Sequence, residues 1–119
     1  MAYDVPGMRI SLVAQEAMPK RWIAVRYVEG VDNAITIATA ATDPVAGILQ
    51  ADARQGQISP VMINGVSMWE AGVPIQAGQM VAVGAGGRAV VGTSANRVGF
   101  ALTGAAAAGD ILTVALRLS

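Results

Sequence analysis

Apolar residues along this chain come in short bursts separated by glycine and polar turns, and the bursts carry the two-residue alternation of strands. From Arg21 to Val28, Trp22, Ala24, Arg26 and Val28 fall on one face of an extended segment, and Ile23, Val25 and Tyr27 on the other. Ala34–Ala38 alternates likewise, with Ile35 and Ile37 opposite Thr36. Further strands are predicted at Ala46–Leu49, Ile58–Ile63, Val66–Ala71, Met80–Val83, Arg88–Val91 and Ile111–Leu118, with a weaker one at Arg9–Val13. Asn64-Gly65 is the dipeptide of a two-residue type I′ hairpin, so Val61–Ile63 is expected to fold back on Val66–Met68. Helix is confined to single turns, because Pro19 cuts short Ala14–Lys20 and Ala105–Ala108 is too brief to sustain one. The pattern predicts an all-β fold, a small barrel or sandwich. Residues 1–8 have no evident partner strand and are punctuated by Pro6-Gly7. They read as an extended arm, mobile in the free protein. The expected organisation is an N-terminal arm at 1–20 and a single β domain at 21–119.

The chain also repeats itself. Val45–Ile63 and Arg97–Leu116 align with one inserted residue, matching Gly47 with Gly99, Gly56 with Gly109, Val61 with Val114 and Ile63 with Leu116. Each copy is an apolar strand, a small-residue connection, a glycine with a polar residue, and a second strand. Such a unit is built for packing and turning.

Composition narrows the function. The chain of 119 residues is 54% hydrophobic but only 4% aromatic, so its core is aliphatic and alanine-rich. Charged residues make up 13%, about half the usual share. A surface so poor in charge points to association with other proteins and to a homo-oligomer. Eight basic residues balance eight acidic ones, and the only adjacent basic pair is Lys20-Arg21, which argues against nucleic-acid binding. Seven of the eight cations are arginine, the cation favoured at protein interfaces. With neither cysteine nor histidine, disulfides, Cys/His zinc sites and the commonest general base are excluded. No apolar run reaches the ~20 residues of a membrane span, and the N-terminus does not read as a secretory signal. A cytoplasmic site of synthesis is expected.

Candidate chemistry is correspondingly thin. Gly84-Ala85-Gly86-Gly87 has part of a dinucleotide fingerprint, but the strand-like Arg-Ala-Val-Val follows it instead of a helix, so it reads as a turn. Asp43, Asp52, Glu70 and Asp110 show no spacing that would pair two carboxylates or cluster oxygen ligands for a metal. The serines have no histidine partner. No catalytic, cofactor-binding or metal-binding residue is assigned, and the chain is not expected to be an enzyme. The candidate contacts with a partner or with other subunits are Tyr3, Val5, Met8 and Arg9 in the arm, with Trp22, Arg26 and Trp69 in the body, because tryptophan and arginine dominate interface hot spots.

Several segments together resemble the capsid decoration, or head cement, proteins of tailed bacteriophages. They are Val45-Ala46-Gly47-Ile48, Gly56-Gln57, Val61-Met62-Ile63 before Gly65, Gly72-Val73-Pro74-Ile75, Gly78-Gln79-Met80-Val81, Val98-Gly99-Phe100-Ala101 and Ala107-Ala108-Gly109-Asp110-Ile111. The resemblance covers roughly Asp43 to Leu116 and leaves the first forty residues unmatched. It implies a β-rich virion protein, often trimeric, bound outside the assembled major capsid protein shell, with no catalytic residues. The alternative class is a carrier or ligand-binding β-barrel of the biotinyl or lipoyl kind. That class requires a lysine at a hairpin tip, and the only lysine here, Lys20, lies beside Pro19 and outside the repeats.

Overall fold

Short strands bounded by glycine bury a core only by pairing on every side, and this chain does so twice over. The computed structural model describes residues 5–40 and 43–116. Its strands are β1 (Val5–Ala14), β2 (Ala24–Tyr27), β3 (Ala34–Ile37), β4 (Val45–Leu49), β5 (Ile58–Glu70), β6 (Met80–Val83), β7 (Ala89–Val91), β8 (Gly99–Ala101) and β9 (Ile111–Leu116). They form one sheet in the order β1-β3-β2-β4-β5-β9-β8-β6-β7. β1 also pairs with β5, so the first five strands close as a barrel. The remaining strands curl in the same sense, and a bridge between Ala71 and Ala89 returns β7 to the end of β5. The fold is all-β, as the alternation predicts.

The two halves share one plan, in which β1, β2, β3, β4 and the start of β5 correspond to the end of β5, β6, β7, β8 and β9. Many of their hydrogen bonds match. Gly56 N–H donates to the Ala14 carbonyl at 2.7 Å, and Gly109 N–H to that of Ala71 at 2.8 Å. Met18 and Ala53 exchange two bonds, as do Ile75 and Ala105. The Gln57 side-chain oxygen accepts from Arg54 N–H, and the Asp110 carboxylate from Ala107 N–H. The glycines matched in sequence play one role: a Cβ on Gly47 would run into the Met62 carbonyl oxygen, and one on Gly99 into that of Ala115. Strand crossing at these points requires a residue without a side chain.

The cores match as well. Leu12, Met18, Val25, Ile35, Leu49 and Val61 fill the first barrel. Trp69, Ile75, Val81, Ala89, Ala101 and Val114 take the corresponding places in the second. Trp69 stands where the first copy has Leu12, and the added bulk is accommodated because alanines replace Ile35 and Leu49. Interiors tolerate such exchanges when total volume is kept. The buried Trp69 indole N–H donates to the Gly87 carbonyl at 2.8 Å, which satisfies its one polar atom. Ala24, Ile48 and Met62, on strands of the first barrel, pack into the second core. β2, β4 and β5 are thus buried on both faces at these positions, so their apolar runs are nearly continuous.

Three expectations are corrected. Asn64-Gly65 is not a hairpin: Ile58–Glu70 is one strand of 13 residues, and the dipeptide lies inside it. Gly65, with φ 118°, continues the strand in a backbone conformation that favours glycine and pairs with Leu116 of the second barrel. The same tolerance of positive φ that suits a tight turn also suits this position inside a strand. Residues 5–8 are not a free arm: they extend the strand expected at Arg9–Val13, and β1 pairs antiparallel with β5 from Val5↔Val66 to Val13↔Ile58 and parallel with β3. Its partner was hidden in sequence because it lies over forty residues downstream; Tyr3 falls outside the described residues. Lastly, the strand expected from Arg21 begins at Ala24, since Trp22 has φ 61° and cannot extend it.

Gly47→Ala and Gly99→Ala should each lower stability by about 1–3 kcal/mol, because the strands must separate to admit a methyl group. Urea unfolding measures this, and unchanged midpoints would show that neither crossing is tight.

Candidate interaction surface

Side chains with chemical potential are spent on holding turns. The Asp43 carboxylate accepts the Thr39 and Ala40 N–H groups at 2.8 and 3.2 Å, and that of Asp110 accepts those of Ala106 and Ala107, both at 3.2 Å. Both are loop caps in which a short side chain replaces a backbone acceptor. Gly84–Gly87 is the tight connection between β6 and β7. Among the described residues, no group of three or more potential ligands could hold a metal, and no helix is long and apolar enough to cross a membrane.

Charge gathers where the two barrels join. Trp22 N–H donates to the Leu49 carbonyl at 2.7 Å, and its own carbonyl accepts from Glu70 N–H at 2.8 Å. These bonds hold the tryptophan in a backbone conformation that costs about 1–3 kcal/mol. They leave its ring half-buried with the Arg21 guanidinium 4.0 Å from the ring centre. Stacking of this kind gives a flat, partly apolar cationic face. Beside it the Glu70 carboxylate meets Arg88 Nε at 2.8 Å, an ion pair by distance in which the N–H is not aimed at the oxygen. Lys20 Nζ lies 3.7 Å from the same carboxylate, but the lysine is 65% exposed and adds little to stability.

A second charged group closes the first barrel. Glu16 accepts the Thr36 hydroxyl and, at 3.1 Å, the Ile37 N–H. The hydroxyl bond foremost, then the backbone bond, and more weakly the charge of Arg26, hold the Glu16 carboxyl below its ordinary pKa. Asp43 is also lowered, chiefly by the Thr39 N–H and in part by Arg26, whose Nε is 3.8 Å away.

The expected contact residues therefore divide. Arg9 is exposed and lies opposite Met62 in the β1–β5 pairing. The backbones of Val5 and Met8 pair with Val66 and Asn64. Trp22 is at the barrel joint, and Arg26 is on β2 facing Asp43. Trp69 is wholly buried and belongs to the core, which removes it as a contact. Sequence reasoning passed over the exposed apolar residues Ile58, Val91 and Val73. Ile58 is 64% exposed while its neighbour Ser59 is buried with its hydroxyl on the Ala51 carbonyl, so the polar residue faces in and the apolar one out. No alternation signal reports such an inversion.

An all-β scaffold of this kind, with its polar groups committed to turns and apolar side chains left outside, is a platform for contacts. Residues 20–118 match the model of the phage cement protein family. The chain belongs to that family and is a phage structural protein of the virion. Among solved structures it is similar to the N base of head fiber gp8.5 from bacteriophage phi29, with a TM-score of 0.75 and 22% identity over 94% of this chain and 95% of that one. That likeness is one of fold. Among curated proteins, no sequence matches.

The lowered carboxyls set an acid limit. A group whose pKa is depressed by folding stabilises the fold fully above its unfolded value, and that contribution disappears as pH falls below it. Stability should therefore decline from about pH 4.5 downward, and Glu16→Gln should flatten the decline. Urea melts at pH 7 and pH 3 measure both; equal acid sensitivity in the variant would remove Glu16 from this role.

Proposed function

We propose that this protein is a capsid cement: it binds the outer face of the assembled major capsid protein shell and stabilises it by adhesion. Membership of the phage cement family carries the reading. Exposed apolar side chains support it: Ile58, Val91, Val31, Tyr27, Leu102 and Val73 all present apolar groups to solvent. Burying such groups across neighbouring shell subunits strengthens their association at roughly 25 cal/mol per Å² of apolar area covered. No catalytic step is part of the proposal. A homo-oligomer, a trimer in the form the family resemblance suggests, is the proposed binding unit, because a surface with 13% charged residues is poorly suited to a free monomer. Synthesis in the host cytoplasm precedes attachment.

Purified protein mixed with undecorated shells should bind saturably, at a fixed number of copies per shell, and should raise the temperature at which the shells open. Absence of saturable binding would overturn the reading. Sedimentation of the free and bound protein reports the oligomer, and a strict monomer in both states would eliminate the trimer.

A further inference from the structure

The two copies of the barrel differ where each closes on itself. In the first, β1 runs beside β3 through Val13↔Ala34 and Ala14↔Ile35, and Gln15 N–H donates to the Ile35 carbonyl. The Glu16 carboxylate then seals the seam on Ile37 N–H and the Thr36 hydroxyl. The second copy begins identically, with Gly72 N–H donating to the Ala89 carbonyl at 2.7 Å. Its next residue is Val73 in the place of Glu16, and Val90 stands in the place of Thr36. A valine side chain can accept nothing.

This leaves the edge of β7 bare beyond Ala89, at Val91. β7 is the last strand of the sheet. Gly92 N–H bonds to the Met80 carbonyl, and Val81 is the partner of Val91. The alternation of an antiparallel ladder therefore turns the N–H and carbonyl of Val91 away from β6, toward the seam. Val73 and Val91 are 36% and 48% exposed. Beside them lies an open groove of about 740 Å³, walled by Pro74, Ile75, Gln76, Val91, Ala105 and Ala106 and lined by no charged residue.

We propose that this seam is a strand-docking site, in which an extended, uncharged segment of the shell protein pairs with β7. Its main chain takes the Val91 N–H, as Glu16 takes that of Ile37, and its apolar side chains cover Val73, Val91 and the groove. An exposed strand edge is a template for such addition, with backbone bonds giving affinity and alternate side chains giving selectivity. The neutral lining selects against charge, since a charged side chain there loses hydration and finds no counter-ion. A second copy of this chain is a poor occupant. Among its described residues the first barrel is closed by β1 and β5, which leaves its own three-residue β7 as the strand edge it could offer. The inference rests on the capsid-binding reading and adds the place and mode of contact.

The test rebuilds the missing seal. The double variant Val73→Glu, Val90→Thr reproduces the Glu16 and Thr36 arrangement, and Val91→Lys places a charge on the docking face without sealing it. Both should keep the wild-type melting temperature within a few degrees while affinity for undecorated shells falls tenfold or more. Val91→Lys alters an exposed side chain and so guards against a double variant that does not fold. In hydrogen exchange, the Val91 amide should exchange faster than that of Ile37 in the free protein and become protected on shells. Wild-type affinity in folded variants would overturn the seam and leave the capsid reading standing. Failure of the wild-type protein to bind shells would overturn both. Loss of self-association in the variants with shell binding intact would make the occupant a second copy and reject the proposal.

Discussion

Everything in this molecule hangs on one strand. β5 completes the first barrel and begins the second, and its inner positions serve two cores: Val61 belongs to the first, Met62 and Trp69 to the second. A residue in the middle of this strand cannot shift without disturbing pairings to β1 and β4 on one stretch and to β9 on the next. Register slippage by one residue would exchange Val61 with Met62 and send each into the other's core. Gly65, at positive φ, lies where the pairing with β4 has ended and that with β9 begins.

The two cores are tied further by backbone. Trp22 spans from the Leu49 carbonyl to the Glu70 N–H, and the Trp69 indole reaches the Gly87 carbonyl. Gly87 itself packs so closely on Ala24 that a side chain there would strike the Ala24 carbonyl. These contacts are local in space but distant in sequence, so the halves are expected to unfold as one cooperative unit.

Much of this was legible in the chain, and the failures share a cause. Alternation located most strand positions, and the glycine pairs exposed half of each copy, because close approach at Gly47/Gly99 and positive φ at Gly56/Gly109 both favour glycine. The other half stayed hidden. Leu12 against Trp69 and Glu16 against Val73 share no chemistry, although each pair occupies one structural position. Asn64-Gly65 misled because backbone tolerance says that a chain turns without saying how far. Of the residues expected as contacts, residue type alone nominated Arg9, Trp22 and Arg26, whereas burial places Trp69 in the core, and no local pattern announced the exposure of Ile58 or Val91.

The shared strand also removes something that most two-part proteins have, a linker. Two barrels joined by a flexible tether must surrender orientational freedom when both touch a surface, and their effective concentrations depend on the tether's reach. Here the direction of one barrel is fixed by the other through a continuous strand. A contact made on one barrel therefore fixes where the other barrel stands, without the freedom that a tether would leave.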